Sequence, residues 1–341
     1  GLAETALRES IERVRSAILN SVFEFPLKRI TVNLAPADIP KTGTRFDLAI
    51  ALGILASSEQ IPTDSLNSIE FIAELALDGT LRPVGRGLPA AMACAEAEHS
   101  ILVAEQDARE ASLVERLNVM TVPNLQTVCS KLFNTATLAD INYQERKPDL
   151  SLETWVPPEK DLSEVQGQFK ARRALEIAAA GGHNLLMVGP PGTGKTMLAT
   201  RILGMLPQMT EQEAFESANV WSVSKQAFNV EKWRQRPFRS PHHTCSQMAL
   251  IGGGNIPTPG EVSLAHNGVL FLDEFPHFQK HTLEVLREPL ETNMVVVART
   301  AAVSQFPANF QLIAAMNPCP CGNYGDQRSE CICRVDQIEK Y

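Results

Sequence analysis

The sequence predicts an α/β protein in which a parallel sheet with flanking helices carries a phosphate-binding loop, preceded by a smaller α+β region. Three observations predict it. A short apolar strand, a glycine loop and a helix follow one another over residues 184–206. Two further apolar strands, 268–272 and 310–315, end in Asp273-Glu274 and Met316-Asn317. Strand and helix patterns also alternate upstream of a polar, proline-bearing stretch near residue 150. With 341 residues, the chain is long enough at ~150 residues per domain for two domains, each with its own core.

Composition narrows the function classes. Apolar residues make up 44% and charged residues 21%, a globular mix. The 31 Lys/Arg against 39 Asp/Glu give a formal charge of −8, so there is no global nucleic-acid footprint. Any DNA contact has to come from a local patch, a ring of subunits or further segments. The uncharged run from Leu48 to Ser58 is too short to span a bilayer. No Arg/Lys-led leader precedes it, and the expectation is a cytoplasmic protein with no membrane partner.

In chain order, apolar positions at Leu7, Ile11, Val14, Ala17 and Ile18 have helical spacing. Alternating β-branched residues predict a strand over 29–34, and an apolar stretch predicts a helix over 46–56. A strand at 69–77, a turn at Asp78-Gly79, a helix at 89–98 and a strand at 100–103 follow. Pro148, Pro157 and Pro158 punctuate a linker assigned to 148–160, dividing 1–147 from 161–341. Beyond it, 166–180 reads as a helix, 184–188 as a strand and 195–206 as a second helix.

Residues Gly189-Pro190-Pro191-Gly192-Thr193-Gly194-Lys195-Thr196 match G-x-x-x-x-G-K-[ST]. In a strand–loop–helix context, backbone N–H groups and the helix N-terminus cradle phosphates, so the expected cofactors are ATP/ADP and Mg2+. Lys195 adds a point charge and the Thr196 hydroxyl is a Mg2+ ligand. A chance glycine turn is the alternative, and the flanking elements weigh against it. Asp273 is expected to hold the metal through water and Glu274 to polarise the attacking water. Asn317, at the tip of the third strand, can orient that water, or simply start a turn before Pro318.

Several segments carry a family resemblance. They are the phosphate loop, Arg239-Ser240-Pro241-His242-His243-Thr244, Gly252-Gly253-Gly254, the run from Pro259 to Glu274, and Ala315-Met316-Asn317-Pro318-Cys319-Pro320-Cys321-Gly322. In this order they resemble the AAA+ ATPases, specifically the magnesium-chelatase-like branch that includes the bacterial ComM/YifB family. The resemblance implies a P-loop AAA+ core, a sensor role for Asn317, and Val165-Gln166-Gly167 bordering the adenine. It also implies a homo-hexameric ring that couples ATP hydrolysis to movement along branched or single-stranded DNA, as a branch-migration helicase in natural transformation.

Residues 1–147 resemble a Lon-protease-like, ribosomal-S5-type domain through Asp38-Ile39-Pro40-Lys41-Thr42-Gly43 and the run from Glu74 to Gly85. At the positions of that protease's serine and lysine, this chain has Thr44-Arg45-Phe46 and Leu88-Pro89-Ala90. Neither Arg nor Pro replaces a serine nucleophile or its base, so peptidase activity is not expected. By the same resemblance the trans-acting arginine finger and helical lid lie beyond residue 341, and the first strands of the S5-type domain precede residue 1. The chain is therefore read as a fragment that hydrolyses ATP poorly alone.

Other signals leave alternatives open. Four of the seven cysteines, Cys319, Cys321, Cys331 and Cys333, form C-x-C-x9-C-x-C in a loop. Four thiolates suit tetrahedral Zn2+; buried, reduced thiols are the alternative. Lys225, Lys232, Arg234, Arg236 and Arg239, with Trp233 and Phe238, form a basic aromatic run that fits nucleic acid but more often marks a solvated loop or interface. His242-His243 fits metal or phosphate, with packing favoured. Residues 294–298 and 302–306 predict a hairpin around Arg299-Thr300, which the resemblance directs into the ring pore. Two functions compete with a DNA motor: an ATPase remodelling a protein complex, as in magnesium chelatase, and a nucleotide-binding interaction module.

Overall fold

The computed structural model describes residues 4–35, 43–64, 66–133, 142, 160–224, 226, 228–254, 257–299, 302–327 and 329–341. The chain divides into two compact units, 1–151 and 152–341. Asp38 to Thr42, Lys225, Thr300 and the linker reading apart from Lys160 lie outside the described residues.

The first unit contains α1 (Glu4–Asn20), α2 (Asp47–Ser57), β1 (Ile69–Ile72), β2 (Glu74–Leu75), β3 (Leu81–Arg82), α3 (Gly87–Glu96), β4 (Ser100–Val103), α4 (Glu105–Ala111), β5 (Val119–Thr121) and α5 (Leu125–Leu132). Strands β1, β4 and β5 form a parallel sheet in the order β1-β4-β5. Central strand β4 is apolar and buried at Ile101, Leu102 and Val103 because both of its faces are covered. Leu102 joins the core with α1, α2 and α5, while Ile101 and Val103 face α3 and α4.

Several expectations for this unit are corrected. Residues 29–34 form no ladder, and Ile30 and Val32 are exposed: β-branched alternation does not make a strand without a neighbour for its backbone groups. The strand expected over 69–77 breaks at Ala73, whose carbonyl turns to accept from Leu48 N–H of α2. Elements α4, β5 and α5 are absent from the reading because they are short. β5 has three residues, too few for a period.

The second unit contains α6 (Phe169–Gly181), β6 (Leu185–Val188), α7 (Lys195–Thr200), α8 (Glu211–Ser222), β7 (Phe238–Arg239), α9 (Gln247–Ile251), β8 (Gly252–Gly253), β9 (Thr258–Pro259), α10 (Glu261–Leu264), β10 (Val269–Leu272), α11 (Lys280–Glu284), α12 (Arg287–Thr292), β11 (Met294–Arg299), β12 (Ala302–Pro307), β13 (Gln311–Met316) and α13 (Val335–Lys340). Four parallel strands run in the order β6-β13-β10-β7. Val269 and Phe271 of β10, with Ile313 and Ala315 of β13, pack on one face with α6 and α7. Leu270 and Leu272, with Ala314, pack on the other with α9, α10 and the hairpin. The hairpin β11–β12 pairs Met294 with Pro307 through Arg299 with Ala302.

Helix α6 begins at Phe169 rather than 166, because Gly167 and Gln168 have positive φ and cannot continue a right-handed helix. Helix α7 tightens into a 3₁₀ turn at Arg201–Gly204, within the stretch read as one helix to 206. Within the basic run, Arg236 and Arg239 are paired rather than free. Phe238 and Arg239 form the edge strand β7, and Arg239 makes a two-pronged ion pair with Glu261 at 2.6 and 2.7 Å. Arg236 donates to the carbonyls of Pro207 and Asn267 and to Glu213. These guanidiniums pin the edge strand to α8 and α10, so they are structural cations.

Candidate functional site

In a parallel sheet the carboxyl ends of all strands open on one edge, where connecting loops form a crevice. Here β6 leads into Gly189–Lys195, β10 into Asp273-Glu274, β13 into Asn317, and β7 through Ser240-Pro241 to His242-His243. All four strand ends therefore deliver polar chemistry to one edge.

The loop after β6 turns on Gly192 (φ +76°) and Gly194 (φ +86°), left-handed positions that Cβ-bearing residues adopt at a cost. The turn frees the N–H groups at the start of α7. Thr193 Oγ1 donates to Pro190 O at 2.8 Å and closes the loop. Lys195 Nζ donates to Gly189 O at 2.7 Å, Pro190 O at 2.9 Å and Asn317 Oδ1 at 3.1 Å. Burial lowers the Lys195 ammonium below the ordinary lysine pKa, with Asp273 acting in the opposite direction. The contact with Asn317 joins residues 122 positions apart, so the sensor candidate stands beside the phosphate-loop lysine.

Thr196 Oγ1 donates to Asp273 Oδ2 at 2.6 Å. A hydroxyl and a carboxylate side by side are the oxygen donors that Mg2+ takes while keeping several waters, so these residues fit that ion. Glu274 sits at φ +51°, and its N–H donates to Asp273 Oδ1 at 2.9 Å. That turn sends the two carboxylates in different directions. Glu274 Oε2 lies 2.9 Å from His243 Nδ1 and 3.5 Å from His277 Nδ1.

Of the remaining sequence-derived site residues, Val165 is buried in the core beneath α7, and its carbonyl accepts from Arg172. Gln166 and Gly167 are exposed. Gln168, which the sequence did not single out, donates from Nε2 to Thr193 O at 3.3 Å and ties this segment to the phosphate loop. His277 and Tyr341 were also missed. His277 stands three residues after Glu274, one 3₁₀ turn on, and that spacing was the available signal. For Tyr341, whose hydroxyl meets the backbone of Asn317, the sequence gives none. A separate cavity of ≈ 470 Å³, lined by Trp221, Trp233, Phe238 and Arg239 among others, includes none of the phosphate-loop residues.

The four cysteines converge, with all sulfurs within 4.8 Å of one another. Cys319 Sγ lies 3.4 Å from Cys321 Sγ and 3.7 Å from Cys331 Sγ, and Cys321 to Cys331 is 3.6 Å. Backbone N–H groups of Asn323 and then Ile332 carry the Cys321 thiol down to about 6. At Cys331 the Cys333 N–H favours the thiolate, but desolvation and the neighbouring thiols outweigh it and push the group up to about 12. Cys94 and Cys129 are instead buried core thiols, with Cys129 raised to about 12 chiefly by desolvation.

A family model described as magnesium chelatase, subunit ChlI, matches residues 161–341, and a second, described as subunit ChlI of Mg-chelatase, matches 1–107. Competence protein ComM of Haemophilus influenzae is 51% identical over 334 residues, covering 95% of this chain and 63% of that protein. YifB of Escherichia coli is 48% identical, covering 97% of this chain and 64% of its own length. Rv2897c of Mycobacterium tuberculosis is 40% identical over the whole chain and 67% of itself. The chain thus spans just under two thirds of the length of the first two relatives.

Proposed function

The chain belongs to the magnesium chelatase subunit ChlI family, with an AAA+ type of α/β core, and from that premise we propose that it is the ATP-binding motor portion of a ComM-type DNA translocase. The observation that carries this reading is the joining of three strand ends at one edge: Lys195 to Asn317, and Thr196 to Asp273. The loop amides and Lys195 bind the phosphates, and Thr196 with Asp273 holds Mg2+, which when bound neutralises phosphate charge. Glu274 takes the proton of the attacking water, with His243 and His277 positioning its carboxylate, and Asn317 orients that water. Val165, Gln166 and Gly167 border the base, close to the Gln168 tether.

The working assembly on this reading is a homo-hexamer that meets branched or single-stranded DNA and acts in the cytoplasm. Among the described residues no helix is long and apolar enough to cross a membrane. Residues 1–147 are taken as the S5-type, Lon-like domain without peptidase activity, 148–160 as a linker, and 161–341 as the ATPase core. Thr44-Arg45-Phe46 immediately precedes α2, and Leu88-Pro89-Ala90 lies in the first turns of α3. Those places supply neither a serine nor a lysine. The four-cysteine cluster is taken as a Zn2+ site.

The test is nucleotide binding by this chain, and hydrolysis and oligomerisation of the longer protein with and without forked DNA. Lys195→Ala is expected to abolish nucleotide binding while leaving the fold intact, since its Nζ partners here are backbone carbonyls and one amide oxygen. Retained affinity would remove the phosphate-loop assignment. Turnover and assembly indifferent to DNA would replace the translocase reading with that of a protein-remodelling ATPase.

A further inference from the structure

The cysteine loop begins immediately after the sensor strand: Asn317, Pro318, then Cys319. A tetrahedral Zn2+ with Zn–S of about 2.3 Å requires sulfurs roughly 3.8 Å apart. The 3.4–3.7 Å separations here are close to that, and far from the ~2.05 Å of a disulfide. Each sulfur is also met by a backbone N–H. Tyr324 donates to Cys319, Asn323 and Ile332 to Cys321, Cys333 to Cys331, and Cys321 to Cys333. Amides directed at every sulfur stabilise thiolates and fix ligand directions, which a loop of merely buried thiols does not need. The cross-pairing, Ile332 to Cys321 and Cys321 to Cys333, locks the two C-x-C arms together.

This loop touches the nucleotide site at two places. Gly322 (φ +86°) lies so close to the phosphate loop that a Cβ there would stand 2.7 Å from Pro191 Cδ. Helix α13, starting two residues after Cys333, returns Tyr341 to Asn317, whose backbone N–H bonds the phenol oxygen. The Tyr341 ring also lies edge-on to His277, 6.1 Å between centroids. One side of the loop therefore braces the phosphate loop and the other braces the sensor residue.

We propose that Cys319, Cys321, Cys331 and Cys333 bind one structural Zn2+, and that the metal-tied loop is a positioning element of the nucleotide site, holding Pro191 and Asn317 in place. The coupling rests on the zinc and ATP readings given above. The four residues need no redox partner, because Zn2+ binding only displaces thiol protons.

The experiment uses the full 341-residue chain, purified under reducing conditions. Elemental analysis is expected to find one zinc per chain, and stripping it with a zinc-selective chelator is expected to weaken fluorescent ADP binding by about tenfold, restored by Zn2+ alone. Measurement with ADP in the absence of Mg2+ keeps the chelator from acting through that ion. Gly322→Ala, which replaces no zinc ligand, is expected to retain zinc and native circular dichroism yet lose several-fold in ADP affinity. One zinc per chain with unchanged ADP affinity in both the stripped protein and Gly322→Ala overturns the coupling and leaves the zinc site standing. No metal, or a metal other than zinc, overturns the proposal at its root. ADP binding that survives in Lys195→Ala marks failure of the nucleotide-site reading instead.

Discussion

The two units each build a parallel sheet with helices on both faces, yet their strand ends differ completely. In the first, β1, β4 and β5 run into Ala73, Ala104 and Val122, all buried. In the second, the strands run into the phosphate loop, Asp273-Glu274, Asn317 and the His242-His243 segment. In both sheets the strands are parallel, so their carboxyl ends share one edge. Only the second carries the residues of the proposed nucleotide site there, because a shared architecture does not by itself supply a chemistry.

Three substitutions test that contrast. Glu274→Gln removes the proposed base but keeps size and polarity. In the assembly that turns over ATP it is expected to retain nucleotide binding and to lose about 10²–10⁴-fold in kcat. Unchanged single-turnover hydrolysis would take Glu274 out of the chemistry and shrink the difference between the sheets.

Leu102→Ala strikes the buried centre of the first sheet. It is expected to cost about 2–5 kcal/mol of that unit's stability in urea unfolding, with ADP affinity preserved below the transition. A parallel loss of ADP binding would mean that the first sheet is not merely a packed layer.

The smallest effect concerns pH. His266 is buried just before β10, its Nδ1 accepting from Asn309 N–H and its Nε2 3.3 Å from Glu216. Desolvation lowers its pKa below the usual 6.5, with Glu216 opposing. The unfolded chain therefore binds the extra proton first. This contribution is fully present above pH 6.5 and is lost as pH falls from there through the folded value. His266→Asn is expected to flatten the stability slope between pH 7.5 and 5.5, read from urea midpoints. An unchanged slope would assign it to other groups.

The phosphate loop was legible because all its determinants are contiguous: strand, glycines, lysine and helix lie within about twenty residues. Strands β10 and β13 were legible because burial on both faces makes a continuous apolar run, and a polar residue after such a run marks its end. Edge strand β7 was not, since two residues carry no period, and its Arg239 with the preceding Arg236 looks like a surface patch until Glu261 and Glu213 appear beside them. Residues 29–34 show the converse: local alternation suggests a ladder, which forms only with a neighbouring strand.

What the sequence determined by itself is therefore local chemistry: the cradle of Gly189 to Thr196, the acids after β10, the amide after β13 and four cysteines in two C-x-C pairs. Tertiary structure decided which of these meet. Lys195 reaches Asn317, His243 and His277 close on Glu274, and the cysteine loop leans on Pro191. The physical reason is that parallel strands distant in sequence share one carboxyl edge. Side-chain partners there are fixed by sheet order and loop packing, neither of which leaves a spacing signal in the chain.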